Sequence, residues 1–335
     1  MDIALTYFCN AGKSILDGLQ IFTNWVLVVL FGLYPMGKFY PGITQSRLEK
    51  EFTLTWADEF EYGDDWQYDD WDGPFYNSWH GHWQNGSGEY FYSPNNKHQT
   101  LSMKDGALHI GFEYAPEGMG GSDYVGWYTD TIDLRRTYKQ CYGYFEIRAI
   151  LPRVFGGWGA FWLYDTHVSG TYPPAGVVGA SDGAEIDIFE APYSYAYWYK
   201  KADNGTYLAH PFSYWQNTVN HTVHYDGYRD YHKAYGEQVF GGWDLYNSYH
   251  TYGLEWNPNE YIFYIDGKET SRMTDPELIC HIPLWPILCI ATGSWAGDEA
   301  NNPTDPDDPN YPTDYIIDYL RIYQYKEIPE QTNFE

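Results

Sequence analysis

Three carboxylates fall within six residues of this chain: Glu185, Asp187 and Glu190, in the stretch Gly183-Ala-Glu-Ile-Asp-Ile-Phe-Glu190. Ile186, Ile188 and Phe189 separate them, and these types favour a β-strand. Side chains two apart in a strand share a face, so Glu185 and Asp187 point one way while Ile186 and Ile188 point into a core. Strict alternation sends Glu190 to the wrong face, because it lies an odd number of positions from Glu185. One β-bulge between Asp187 and Glu190 returns it to the acidic face. A helix gathers the three less well, since a spacing of five turns a side chain through roughly 500°.

Like charges on one strand face destabilise a sheet, so their presence points to use. Two carboxylates of unequal proton affinity can cleave a glycosidic bond: one attacks the anomeric carbon while the other, held protonated, protonates the leaving oxygen. With one bulge the two glutamates sit about four strand steps apart, roughly 13 Å between backbones. Side chains leaning together could then reach the ~5–5.5 Å separation of a retaining enzyme. A solvated acidic strand and a calcium site of hard oxygen ligands are the alternatives.

The elements that must position these acids read as all-β. From Glu51 onward short strands alternate with Gly, Pro, Asn and Asp, the rhythm of a sandwich. The clearest strands lie at 108–112, 144–150, 261–265 and 315–323. The loop from Gly297 to Thr313 is irregular and rich in proline. The first 50 residues differ: Gly18 to Gly37 carries no charge and includes an apolar run, Trp25 to Tyr34. That run barely reaches membrane-spanning length, and Gln20, Asn24 and Pro35 weaken it. A signal anchor, a helix lying on a membrane, and an extension packed on the remainder all fit. The organisation expected is therefore a helical extension over 1–50, as an anchor or a packed helix, a catalytic domain over 51–327 and a tail over 328–335.

Acidic residues outnumber basic ones by 46 to 19, for a formal net charge of −27. Such a surface repels nucleic acid and anionic membranes and disfavours sulfated polysaccharides, whereas neutral glucans are indifferent to it. The chain holds 36 Tyr, 17 Phe and 15 Trp, many in loop-like contexts where a ring face could receive the apolar face of a sugar. Cys9, Cys141, Cys280 and Cys289 are too scattered for a disulfide framework; Cys280 and Cys289 could pair, with buried free thiols an equal alternative.

The stretch Glu185-Ile-Asp-Ile-Phe-Glu190 resembles the active-site motif of glycoside hydrolase family 16 in its bulged, laminarinase-like form. Other stretches match in order: Thr-Trp-Ala-Asp-Glu-Phe at 55–60, Tyr-Gly-Tyr-Phe-Glu-Ile-Arg-Ala at 142–149, Gly-Gly-Trp-Gly-Ala-Phe-Trp-Leu at 156–163, His-Thr-Tyr-Gly-Leu-Glu-Trp at 250–256, Tyr-Ile-Asp-Gly at 264–267 and Ile-Asp-Tyr-Leu-Arg-Ile-Tyr-Gln at 317–324. The resemblance spans roughly residues 52 to 326. It implies a concanavalin A-like jelly roll of two curved antiparallel sheets. It also implies Glu185 as nucleophile, Asp187 as assisting carboxylate and Glu190 as general acid/base. The bulged form argues against xyloglucan enzymes and bacterial lichenases, whose motif is one residue shorter.

The resemblance implies further site residues. His224 matches a histidine of the cleft, with His221 a weaker candidate. Trp158 and Trp162, four apart on one strand face, would line donor subsites beside the nucleophile, and Trp295 would form a cleft wall. Relatives carry Asn-Asn-Glu-Leu-Gln before the first long strand; this chain has Trp83-Gln-Asn-Gly-Ser-Gly-Glu-Tyr90, so Asn85 or Glu89 would substitute. The insertion from Asp64 to Gly81 is a second departure. A structural calcium would be held by Asp318 with backbone oxygens near Glu59 and Gly106, and no organic cofactor is implied. The expected protein is a monomeric, endo-acting retaining β-glucanase on β-1,3 or mixed β-1,3-1,4 bonds. Its expected location is extracellular or cell-surface, with membrane association through the N-terminal segment. A galactan-directed or transglycosylating relative and a non-catalytic lectin-like module are the other readings of this fold.

Overall fold

Period-two alternation of apolar and polar residues folds here into two stacked antiparallel sheets. The computed structural model describes residues 42–62, 100–118, 126–135, 137–153, 157–167, 179–193, 200–201, 207–208, 218–228, 230–241, 244–292 and 313–332. The chain divides at Pro41, and everything described lies in the unit that begins at Gly42. Within it the helix α1 (Gln45–Glu51) precedes β1 (Phe52–Asp58), β2 (Leu101–Lys104), β3 (Ala107–Ala115) and β4 (Gly126–Tyr128). Next come β5 (Thr131–Asp133), β6 (Gly143–Ile150), β7 (Gly157–Tyr164), β8 (Glu185–Tyr193), β9 (Lys200–Lys201) and β10 (Tyr207–Leu208). The remaining strands are β11 (Thr218–Tyr225), β12 (Lys233–Phe240), β13 (His250–Asn257), β14 (Glu260–Ile265), β15 (Lys268–Met273), β16 (Trp285–Thr292) and β17 (Thr313–Tyr325).

Six strands form one sheet in the order β12-β11-β8-β7-β16-β5. Nine form the other: β15-β14-β13-β6-β17-β3-β2, with β1 also on β17 and β4 on β3. The thirteen residues of β17 are long enough to pair with β3 at one end, β1 at the other and β6 along their length. The fold is thus the antiparallel all-β sandwich of the jelly-roll class. Asp-Gly pairs make two of its tightest corners. Asp105-Gly106 joins β2 to β3, and Asp266-Gly267 joins β14 to β15, all four residues at positive φ. Two-residue hairpin loops of this kind favour Asp or Asn followed by Gly.

Inward residues of the two sheets meet in one core that includes Phe145, Ile147, Phe161, Ile186, Val223 and Leu254, all fully buried. Phe189 of the six-stranded sheet packs on Tyr252 of the other at 4.4 Å between ring centroids. Each such side chain stabilises the fold by roughly 1.5–3 kcal/mol. Cys141, Cys280 and Cys289 are free thiols. Cys280 lies in this core, whereas Cys289 packs with Trp158 in a separate cluster, so the pairing considered from sequence does not form. Cys9 lies outside the described residues, as do the insertion at 64–81 and the apolar run at 25–34.

The segment 42–50, assigned from sequence to the extension, packs on the sandwich. Thr44 caps α1 by accepting from the Arg47 amide at 3.2 Å. Ile43, Leu48 and Phe52 bury against Tyr144, Ile262, Tyr264 and Tyr325. Arg47 makes a bidentate pair with Glu255 of β13, at 2.6 Å and 2.8 Å. Tyr325 donates to one oxygen of that carboxylate at 2.7 Å and Tyr264 to the other at 2.8 Å. The buried acid is therefore fully partnered, and the packed unit begins nine residues earlier than position 51. At the other end, Asn259 donates to the Glu330 carbonyl at 2.8 Å and accepts from the Thr332 amide at 2.6 Å, which ties the tail to the β13–β14 turn. Among the described residues no helix is long and apolar enough to cross a membrane.

Arg47→Ala would leave the Glu255 carboxylate buried without its cation. Urea denaturation is expected to register a loss of about 2 kcal/mol, below the value for a wholly buried pair because Arg47 is partly exposed.

Candidate active site

The pairing of β8 with its two neighbours explains how one strand presents three acids. Against β7, Glu190 faces Ala160, Phe189 faces Phe161 and Asp187 faces Trp162, so Ile188 has no opposite residue. Against β11, Glu190 faces Asn220 and Asp187 faces Thr222, leaving His221 opposite both Ile188 and Phe189. This is a β-bulge, and it lies between Asp187 and Glu190. Ile186, Ile188 and Phe189 are all buried in the core. Two consecutive core residues use up the extra position, and Glu190 returns to the face of Glu185 and Asp187.

Crowding and burial then act on the proton affinities. Asp187 is 4% exposed and the Glu185 side chain 17%. Burial, reinforced by the charge of Asp187, pushes Glu185 up to about 7, while His224 and a hydrogen bond from Tyr228 oppose the rise. Burial raises Asp187 as well. Glu190 is driven well above the ordinary carboxylate range, first by burial and then by the charges of Asp187 and Glu185. His224 and the Trp158 indole N–H, which donates to Glu190, pull it back. The two glutamates are thereby separated: Glu190 holds its proton, and Glu185 releases its own near neutrality.

Around the acids stand two groups of β11 and the turn after it. His224 Nε2 lies 3.4 Å from Asp187 Oδ2 and 3.8 Å from Glu185 Oε1. Its Nδ1 is 2.9 Å from His232 Nε2, and the two rings stack at 5.1 Å and 9°. Tyr228 donates its hydroxyl to Glu185 Oε2. Neither Tyr228 nor His232 emerged from the sequence. The available signal was Asp226-Gly227, a turn pair just after His224, with both residues at positive φ. Asp226 fixes this turn, accepting from the Gly179 amide at 3.0 Å and pairing with Lys233 at 3.4 Å.

The tryptophans divide. Trp162 sits opposite Asp187, half-buried and edge-on to Tyr164 at 5.5 Å. Trp158 was expected beside the nucleophile but contacts Glu190. The reason is direction: β7 runs antiparallel to β8, so the first residues of β7 meet the last residues of β8. His221, the weaker cleft candidate, turns the other way and is buried at 1% exposure. Asn85, Glu89 and Trp295 lie outside the described residues.

Glu185, Asp187 and His224 offer ligand atoms within 4.8 Å of one another, the one such group of three among the described residues. The residues expected to hold calcium are differently engaged. Asp318 Oδ2 accepts from Arg148 Nη1 at 2.6 Å, and Glu59 is paired with Arg321 at 2.7 Å. Gly106 occupies the β2–β3 turn.

Comparison with known proteins finds similarity to glycoside hydrolases, with the family match beginning after the three acids. The pattern of Glycosyl hydrolases family 16 matches residues 212–319, which contain β11 and His224. The chain is 27% identical to a Beta-glucanase of Rhodothermus marinus, over 91% of this chain and 95% of that protein. It is 26% identical to Endo-1,3-1,4-beta-glycanase ExsH of Rhizobium meliloti, over 69% of this chain but 41% of that longer protein. The solved laminarinase from Rhodothermus marinus superposes with a TM-score of 0.58 at 24% identity, covering 82% of this chain and 98% of the other.

Raised carboxylate affinities link stability to pH. The folded chain keeps protons that the unfolded chain releases, so the contribution of Glu185 is full below about 4.5 and is lost as pH rises through about 7. Glu185→Gln is expected to flatten that decline and to raise the melting temperature above wild type at pH 8. The gain is on the order of 3 kcal/mol at most. Melting curves from pH 4.5 to 8 measure it, and parallel profiles for the two proteins would contradict the assignment.

Proposed function

We propose that this chain is a member of glycosyl hydrolases family 16 and an endo-acting β-glucanase of β-1,3 or mixed β-1,3-1,4 glucan, a reading supported by its match to that family's pattern and by its similarity to a Beta-glucanase. One observation carries the reading: a bulge gathers three carboxylates on one face, Asp187 buried and the two glutamates half-buried, and sets their proton affinities apart. A pure carbohydrate-binding module gains nothing from that repulsion.

The chemistry proposed is double displacement with retention. Ionised Glu185 attacks the anomeric carbon and forms a glycosyl ester, while Glu190 gives its proton to the departing oxygen. Glu190, now a carboxylate, takes a proton from water, and that water releases the sugar from Glu185. Tyr228 fixes one oxygen of the nucleophile, which orients the other toward the sugar. Asp187 raises the affinity of both neighbours for protons, and His224 moderates it. Trp158 holds the Glu190 head group by its N–H. No organic cofactor has a part in these steps, and the neutral substrate class accords with a net charge of −27.

Location outside the cell or on its surface, membrane association through the N-terminal segment and a monomeric state belong to the same proposal. They are supported by the size of a glucan polymer and by the apolar run at 25–34. Cell fractionation and size-exclusion chromatography test them.

Calcium at Asp318 meets an opposing observation, since the Arg148 guanidinium already lies against that carboxylate. With that guanidinium against it, the Asp318 carboxylate does not fit a divalent ion, so no role is given to calcium. Chelation with EDTA is expected to leave the melting temperature unchanged; a fall of several degrees, reversed by calcium, would restore the site.

Glu185→Ala is expected to lower reducing-end release from laminarin by about 10³-fold or more while glucan binding persists. Proton NMR of the wild-type reaction should detect the β-anomer first. Unimpaired hydrolysis by the variant would remove Glu185 from its role, and initial appearance of the α-anomer would exclude retention.

A further inference from the structure

A buried histidine that the proposed chemistry does not use sits at the back of the bulge. His221 lies opposite the two residues of the bulge, Ile188 and Phe189, and faces the core. Its Nδ1 is 2.6 Å from the backbone carbonyl of Ile188, the residue without a partner on β7. Its Nε2 is 3.0 Å from Thr270 Oγ1 on β15, in the other sheet. The ring stacks on Phe263 of β14 at 4.4 Å between centroids and 23° between planes.

The chemistry of the partners fixes the tautomer. A carbonyl only accepts, so Nδ1 carries the proton; the bare Nε2 of a neutral ring then faces the Thr270 hydroxyl, whose one proton it shares with the Phe263 carbonyl oxygen 3.2 Å away. Burial lowers the affinity of His221 for a second proton to about 4, in keeping with a neutral ring. An imidazole is an expensive side chain to bury for packing alone. Here both nitrogens are satisfied, and one of them holds a backbone group where the bulge disrupts the ladder.

We propose that His221 is a positioning residue: by clasping Ile188 to the opposite sheet it holds the bulge, and thereby holds Glu190 on the face of Glu185. This rests on the reading of Glu190 as general acid/base. Without the clasp the strand can relax toward regular alternation, which rotates Glu190 away from the cleft while Glu185 and Asp187 stay in place.

The test separates loss of the acid from general damage. The full chain and its His221→Leu variant are assayed on laminarin, whose leaving group needs a proton, and on a 2,4-dinitrophenyl β-glucoside oligomer, whose leaving group does not. His221→Leu is expected to lower kcat on laminarin by about 100-fold, with KM little changed and only a small loss in the burst of dinitrophenol. Azide is expected to speed its turnover of the activated substrate and to yield a glycosyl azide. His221→Asn, whose amide can donate from the Nδ1 position, should recover most of the laminarin activity, whereas His221→Gln, which reaches toward Thr270, should not. The Asn and Gln pair makes the comparison by itself should the Leu variant not fold. Equal losses on both substrates, or unchanged laminarin hydrolysis by His221→Leu or His221→Gln, would overturn the proposal. A wild-type protein inactive on both substrates would overturn the functional reading beneath it.

Discussion

The core's claim on two consecutive residues, Ile188 and Phe189, is the constraint from which the site follows. A regular strand can bury only every second side chain. Here both neighbours are buried, so the backbone takes an extra residue between Asp187 and Glu190, and the phase of alternation shifts by one. Packing energy gathered behind the strand thereby offsets electrostatic repulsion in front of it. Three carboxylates on one face would destabilise an isolated hairpin. They are tolerable where Ile186, Ile188 and Phe189 anchor the same strand to a core spanning both sheets.

The repulsion is also what separates the acids. Glu185 has Tyr228 and His224 to favour its ionised form. Glu190 has the Trp158 N–H, but it also feels both other carboxylates. Unequal partners make unequal proton affinities, so chemically identical side chains differ in their hold on a proton. The same crowding makes the site a local liability for stability at neutral pH, which the remainder of the sandwich must offset.

On the outer sheet, buried acids are handled in the opposite way. Glu255 is met by Arg47 and two tyrosines, and Glu146 by the hydroxyls of Tyr144 and Tyr319 at 2.6 Å and 2.8 Å. Both of these acids have their donors. The contrast between fully partnered carboxylates on one sheet and mutually exposed ones on the other marks where the chain keeps electrostatic stress available for chemistry.

The sequence by itself determined what depends on neighbours along the chain. Strand periodicity at β3, β6, β14 and β17 was legible from alternation. The bulge followed from the odd separation of Glu185 and Glu190, because the period of two leaves no other way to gather them. Only the tertiary structure decided which partners reach these groups. Two histidines three apart on β11 look alike in sequence, yet His221 faces the core and His224 the acids, because an odd separation puts them on opposite faces and the sheet's placement decides which is which. Tyr228 reaches Glu185, and His232 reaches His224, through a turn whose return path no periodicity encodes. Arg47 finds Glu255 across 208 positions, so the true start of the packed unit was invisible to local pattern. Alternation is a property of consecutive residues; partnership is a property of the fold.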